Sequence, residues 1–335
     1  MRVTPPVSWY RDPAFWARER TGVFAGSWQF FAHESALGEA GCWVAETIAG
    51  FPLLVIRDGA GELRGYHNVC RHRAGPLTSG DNGRCDGEIV CRYHGWRYAY
   101  DGRLKVARDF GPTPDFDPRA LGLFAVRVEI WRGLVFVAMT EKPAPLSEWV
   151  APLESRLAGA NWSDLAVALR RSHAIACNWK TYVENYLEGY HVPAIHPEMD
   201  AEIDSARYVV RMEGAVALHE APLRRADAVY GGLWGWLWPN LGLNVYGRGL
   251  MLERISPQGP TATRLEYVYL APAGENIAAA TLAMSDAVTA QDKEIVERVQ
   301  ENLDAGVYEG GPLSPKHEGA LAAFHALLGQ SITPA

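Results

Sequence analysis

The sequence predicts an α+β protein, a small all-β half followed by a half in which antiparallel strands pack against long helices. Three observations carry this expectation. From about Trp28 to Met139, short β-rich runs alternate with Gly, Asp and Pro turns. From Ala166 onward, longer strand-like runs are interrupted by a helical stretch over about 178–192. A long helical period then runs from about Gly274 to Leu303. At 335 residues, with 48% hydrophobic and 21% charged residues, the chain can bury a large core and is not disordered.

The elements follow in order. Asp12-Pro13 is an N-cap and first-turn pair that starts a helix over about 14–24. The first half offers strands near 43–48, 53–57, 63–69, 89–91, 123–130 and 134–137. Pro143, Pro145 and Pro152 mark 141–152 as a linker. Strands are predicted over 166–176, 208–217, 233–245, 249–256 and 264–270, and a short last helix near 319–328. The expected division is a helical segment 1–25 packed on the second domain, a β domain 26–140 and a second domain 141–335.

Composition excludes several functions. The net charge of −7 argues against broad electrostatic binding to nucleic acid. The uncharged stretch 230–247 holds five glycines, a proline and two asparagines, which suits strands and turns and not a membrane-spanning helix. The opening MRVTPPVSWYRD has no apolar signal core, so the expected location is the cytoplasm. Five cysteines point to reduced thiols or metal ligands and not to a disulfide framework.

The cysteines are grouped with histidines. Cys70-Arg71-His72 is followed, after eighteen residues, by Cys91-Arg92-Tyr93-His94. Zinc would accept two Cys and two His, and so would a [2Fe–2S] cluster whose second iron takes two His. A zinc finger groups its cysteines together. Mixed Cys-His pairs suit a cluster in which each loop serves both irons. With their flanks, Asn68-Val69-Cys70-Arg71-His72-Arg73 and Cys91-Arg92-Tyr93-His94-Gly95-Trp96, the pairs resemble the two cluster loops of Rieske proteins, with a slightly longer intervening hairpin. Cys85 in that hairpin has no His partner and reads as a small hydrophobe.

A second constellation lies in NWKTYVENYLEGYHVPAIHP, residues 178–197. Asn178 is a plausible N-cap, and Trp179, Tyr182, Val183, Tyr186, Leu187 and Tyr190 share one helical face. Glu188 and His191 lie off that stripe, as a solvated polar face would. Pro193 ends the helix, and His196 sits beyond the break. Two His five apart on one helix would diverge by ~140°, so the break lets both aim at one ion. The run Glu188-x-x-His191-x₄-His196 resembles the mononuclear-iron segment of Rieske non-haem iron oxygenases. Asn178-Trp179-Lys180 and Asn185-Tyr186-Leu187 resemble the branch containing choline, glycine betaine, proline betaine and carnitine oxygenases.

The resemblance implies an N-terminal all-β Rieske [2Fe–2S] domain and a helix-grip catalytic domain. It implies Cys70, His72, Cys91 and His94 as cluster ligands, and His191 and His196 as two ligands of one mononuclear Fe(II) per subunit. The third ligand of such a facial triad is a carboxylate. Asp292 fits, because Val288, Ile295, Val296, Val299 and Leu303 form an apolar stripe with Asp292 at its centre. A carboxylate on a buried face is costly unless paired or metal-bound. By resemblance, Glu188 takes the place of an Asp that links an iron His, here His191, to a cluster His, here His94, of a neighbouring subunit. That implies a head-to-tail homotrimer.

In LWGWLWPNLGLNVY, Trp234, Trp236 and Trp238 alternate as on one strand face. With Asn240 and Tyr246 they are candidate substrate contacts, able to hold a quaternary ammonium by cation–π attraction, or else core. Arg248 is a candidate for a substrate carboxylate. The implied function is that of a terminal oxygenase using O2 and electrons from a flavin-containing NAD(P)H reductase, a ferredoxin or both. Its substrate is a small molecule, hydroxylated by monooxygenation, including N-methyl carbons lost as formaldehyde. The alternatives are ring dioxygenation of an aromatic acid, an electron-transfer Rieske protein without catalytic iron, and a zinc-stapled binding module.

Overall fold

The computed structural model describes residues 2–157, 162–229, 233–246 and 249–332. It divides into two compact units, residues 25–146, and residues 1–24 together with 147–335. Arg248 lies outside the described residues.

The first unit is all-β. Seven antiparallel strands lie in the order Gln29–His33, Leu134–Ala138, Ala125–Trp131, Leu63–His67, Phe51–Arg57, Cys42–Ile48 and Asn82–Arg84. A three-stranded sheet joins Ile89–Val90, Arg97–Tyr98 and Leu104–Val106. Leu53 to Ile56 and Leu134 to Ala138 are fully buried, which is why these strands read as unbroken apolar runs. One core cluster joins both sheets, with Trp43, Leu54, Ile89 and Tyr98 packed around Cys70 and Cys91. Cys85 packs partly buried against it.

The second unit is α+β. Its sheet runs in the order Leu165–Ile175, Ala262–Pro272, Gly249–Gly259, Leu241–Tyr246, Leu233–Leu237, Val216–Glu220 and Val209–Glu213, antiparallel throughout. The register sets two cross-strand rows on one face, His219-Trp234-Asn244-Met251-Tyr269 and Ala217-Trp236-Gly242-Glu253-Tyr267. Three helices cover that face. From the long helix Ala279–Asp304, Thr289 and Ser285 hydrogen-bond the hydroxyls of Tyr267 and Tyr269 at 2.8 and 2.7 Å. From the helix Trp179–Tyr186, the Tyr186 hydroxyl donates to Gly235 O at 3.1 Å. From the C-terminal helix Gly319–Ile332, Phe324 packs on Trp236 and Trp238, with ring centroids 5.7 and 5.8 Å away. No helix among the described residues is long and apolar enough to cross a membrane.

The N-terminal segment belongs to this unit. Asp12 accepts the Ala14 N–H at 2.8 Å and caps the helix Pro13–Glu19, which continues as a π turn over Arg20–Phe24. Glu19 Oε1 and Lys180 Nζ form a 2.6 Å ion pair, both side chains fully buried. Burial pushes the Glu19 carboxyl up and the Lys180 ammonium down, against the pull of each on the other.

Several local expectations give way to packing. The stretch 141–152 is not all linker, because a helix spans Leu146–Arg156 with Pro152 inside it. Leu146, Val150, Leu153 and Leu157 are buried at helical spacing, and that apolar stripe outweighs the proline signal. The runs 208–217 and 233–245 each resolve into a hairpin pair, split at Gly214 and at Trp238-Pro239-Asn240. The helix from Asn178 stops at Tyr186, well before Pro193, which instead opens the short helix Val192–Ile195. On the long helix, Ile295 and Val299 are exposed, and the buried face is Ser285, Thr289, Asp292, Val296, Gln300 and Leu303. The apolar stripe is thus offset from the buried face, whose polar residues meet polar groups below.

Phe324 also packs edge-on to Trp179 at 5.7 Å and is fully buried. Phe324→Ala should cost about 3–5 kcal/mol of stability, read as a lower denaturation midpoint.

Candidate metal centres

Two tight loops carry the Cys-His pairs, and they close alike. In the first, Cys70 N–H donates to Gly75 O at 2.8 Å and Ala74 N–H to Cys70 O at 3.1 Å. In the second, Cys91 N–H donates to Trp96 O at 2.9 Å and Gly95 N–H to Cys91 O at 3.0 Å. Ala74 and Gly95, each four residues after its Cys, sit at φ 54° and 73°. Left-handed backbone at this place turns the chain back under the Cys.

Cys70 and Cys91 are buried, not disulfide-bonded, and burial raises the Cys91 thiol above its ordinary value. The Tyr98 hydroxyl accepts the Arg71 N–H at 3.1 Å and lies 3.2 Å from Cys70 Sγ, to which it can donate. The His72 and His94 rings are 4.5 Å apart, and His72 stacks on Trp96 at 4.8 Å. His72 Nδ1 is buried without a hydrogen-bond partner. An orphaned imidazole nitrogen beside two buried thiols fits a metal and not a hydrogen-bonded core. Two sulfur and two nitrogen donors match a Rieske cluster.

The other candidate centre is in the second unit. After Tyr186 the chain leaves the helix, and the Glu188 carboxylate folds back onto the turn. Its Oε2 accepts the backbone N–H groups of Tyr190 and His191, and its Oε1 lies 2.5 Å from His191 Nδ1. The turn aims His191 Nε2 at His196 Nε2, 3.2 Å away. Asp292 Oδ1 lies 3.0 Å from His196 Nε2 and 3.7 Å from His191 Nε2. Ligand atoms of all three lie within 4.8 Å of one another.

Each of the three side chains is also held by a neighbour. Gln291 Oε1 is 2.7 Å from His196 Nδ1, and Asn185 Nδ2 donates to Asp292 Oδ1 at 2.7 Å. With Nδ1–H of each imidazole donated to an oxygen behind it, both Nε2 lone pairs face the same point. Burial disfavours charge on His196, but the hydrogen bond and charge of Asp292 outweigh it and raise its pKa. The pocket between these atoms attracts positive charge. Two imidazoles and one carboxylate on one side fit the facial set for ferrous iron, with the other side open.

A cavity that opens to solvent adjoins the three side chains. Its wall is aromatic and acidic, with Tyr182, Tyr186, Tyr208, Trp234, Tyr246 and Tyr267 among the rings and Glu188, Glu253 and Asp292 the acids. No Lys or Arg lines it among the described residues. Burial lowers His219 to about 3, so this imidazole is neutral, with its Nδ1 2.9 Å from the Tyr208 hydroxyl.

Of the aromatic-wall candidates, Trp234 and Tyr246 line the cavity. Trp236 and Trp238 are covered by Phe324. Asn240 ties its hairpin turn, donating to Ile255 O at 2.8 Å. Sequence reasoning missed Asn185, Gln291, Tyr98, His219 and Glu253. Gln291 could be suspected from its place beside Asp292, and Glu253 from a lone acid in the apolar run LMLERI.

The comparisons with known proteins cover the chain from end to end. A Rieske [2Fe-2S] domain matches residues 27–117, and the catalytic domain of a ring hydroxylating alpha subunit matches residues 162–333. Choline monooxygenase of Arabidopsis thaliana chloroplasts is 31% identical over 354 aligned positions, covering 97% of this chain and 82% of that protein. The carnitine monooxygenase oxygenase subunit of Escherichia coli K12 is 30% identical over 351, covering 98% and 93%. The solved structure of a quaternary ammonium Rieske monooxygenase superposes with a TM-score of 0.87 at 25% identity, over 99% of this chain and 96% of that one. A naphthalene 1,2-dioxygenase, at 17% identity and a TM-score of 0.78, shares the fold. The chain therefore belongs to the Rieske non-haem iron oxygenases, as an alpha subunit of the ring-hydroxylating type, an oxidoreductase family that carries a [2Fe–2S] cluster and a mononuclear iron.

Proposed function

We propose that this chain is the terminal oxygenase of a multicomponent Rieske system and hydroxylates a quaternary ammonium compound, with loss of an N-methyl group as formaldehyde as one outcome. The carrying observation is the cavity beside His191, His196 and Asp292, whose wall is aromatic and acidic with no Lys or Arg among the described residues. Aromatic faces attract an ammonium whose charge cannot be removed by deprotonation. An aromatic acid finds no Lys or Arg in this wall to pair with its carboxylate among the described residues. The choline and carnitine monooxygenases among the relatives support the same substrate class.

The residue roles follow. Cys70, His72, Cys91 and His94 hold the cluster, within a Rieske domain spanning 26–140. His191, His196 and Asp292 hold Fe(II), within a catalytic domain spanning 141–335 against which the segment 1–25 packs. The bound metals supply electron storage and dioxygen reduction. The chain supplies the setting. Gln291 and Glu188 fix the two imidazoles, the aromatic wall holds the cation, and His219 stays uncharged so as not to repel it. Glu188 connects His191 to the cluster edge at His94 of a neighbouring copy in a head-to-tail homotrimer. Electrons come from NAD(P)H through a flavin-containing reductase, a ferredoxin or both, in the cytoplasm.

The direct test is oxygen uptake by the reduced protein against choline, glycine betaine, carnitine and a set of aromatic acids. Uptake coupled to a betaine or choline supports the reading, and uptake with aromatic acids alone replaces it with ring dioxygenation. A colourless protein holding one zinc would restore the binding-module alternative.

Asp292→Ala should lower the iron content from roughly three to roughly two per subunit while leaving the visible cluster spectrum intact. Gln291→Leu frees His196 Nδ1 and should weaken ferrous binding about 10–100-fold, measured by metal titration. Glu188→Ala frees His191 Nδ1 in the same way and should also weaken ferrous binding, but with iron supplied to saturation it should hold both metals yet stall turnover. Wild-type rates in that variant would remove Glu188 from the electron route.

A further inference from the structure

Glu253 stands apart from the centres described above. It lies on the strand Gly249–Gly259, opposite Gly242 on one side and Tyr267 on the other, and points to the helix-covered face of the sheet. It is 5% exposed and lines the cavity. Its hydrogen-bond partners are neutral, Asn244 Nδ2 at 3.4 Å and the Tyr182 hydroxyl. No Lys or Arg pairs with it among the described residues. The next residue, Arg254, sits on the other face and is committed to Glu266 at 2.7 Å. Asp292, whose charge Glu253 feels, is committed to His196.

A buried carboxylate with no counter-charge is costly. Here burial first, and the charge of Asp292 second, push the Glu253 carboxyl up to about 8. Other charged positions in this unit show the usual remedy, as with Glu19 and Lys180, where a buried acid has its own base. At Glu253 the space a base would fill is the cavity itself. Gly242 offers no side chain, and the Tyr186 ring lies over it, 2.8 Å from where a Cβ would stand. The carboxyl is therefore flanked by the rings of Tyr182, Tyr186 and Tyr267, which attract cations but cannot neutralise the acid.

We infer that Glu253 is the counter-charge for the cationic group of the substrate, completing an aromatic cage with one carboxylate, and that it is a specificity-determining residue of this cavity. The inference rests on the quaternary ammonium reading proposed above and deepens it. It separates charge recognition, which falls to Glu253, from shape recognition, which falls to the rings. An ammonium entering the cage favours the charged carboxylate and its proton leaves to solvent, whereas a neutral molecule of the same shape leaves the carboxyl protonated and gains no charge pairing.

The test compares choline with its neutral carbon isostere, 3,3-dimethylbutan-1-ol, as ligands of the metal-loaded protein. Wild type should bind choline more tightly than the isostere. Glu253→Gln keeps the shape and the hydrogen-bonding capacity but removes the charge. It should weaken choline at least about tenfold while the isostere changes by less than about threefold. Glu253→Asp, which keeps the charge, should retain most of the preference, and both variants should show the wild-type cluster spectrum. An unchanged choline-to-isostere ratio in Glu253→Gln overturns the inference, whether turnover falls alone, which marks a proton-handling role, or both ligands weaken together, which marks a structural one. A wild type that binds neither ligand but binds benzoate overturns the quaternary ammonium reading itself, and this inference with it.

Discussion

Two imidazole nitrogens 3.2 Å apart, with a carboxylate oxygen 3.0 Å from one of them, form a contact that buried side chains do not make among themselves without a shared cation or proton. Much of the second unit serves to hold that contact. The helix Trp179–Tyr186 ends early so that Glu188 can fold back on the turn and point His191 inward. The long helix buries a polar face because Asp292 and Gln291 must reach the same point from the opposite side. The sheet beneath is antiparallel and aromatic on that face, which leaves a walled space next to the three donors.

The two centres share one physical theme. In each, a tight turn presents the candidate ligands, and a neighbouring polar group lies within hydrogen-bond reach of them. At the thiols the neighbour is the Tyr98 hydroxyl near Cys70 Sγ. At the imidazoles it is a carboxylate for His191 and an amide for His196. Such supports limit ligand motion before any ion arrives, so less order remains to be imposed on binding.

Much of this was legible in the residues. The α+β class and the β texture of the first half came from short apolar runs and their turns, and the ligand candidates came from Cys-His and Glu-His-His spacing. Boundaries failed where tertiary context decided. Pro193 looked like a helix terminator, yet the helix already ends at Tyr186, and the chain then runs through the Glu188 turn and Gly189, where a Cβ would meet the Tyr208 ring at 2.0 Å. Ile295 and Val299 looked buried because an apolar stripe normally faces a core, but this helix lies over a polar site. Trp236 and Trp238 share strand spacing with Trp234, and only the position of Phe324 on a distant helix separates core from cavity wall. Glu253 was hidden for the same reason, since one acid in an apolar strand gains meaning only from what the sheet and helices leave empty around it.

The buried Glu19–Lys180 pair ties the first two dozen residues to the helix that leads into the Glu188 turn. Trp179 and Phe24 stack edge-on beside it at 5.0 Å. Clipping this amino-terminal strap by proteolysis would strand an ammonium in an apolar interior, two turns of helix from the Glu188 turn. Damage there would surface at a distance, in how His191 is held toward His196 and Asp292.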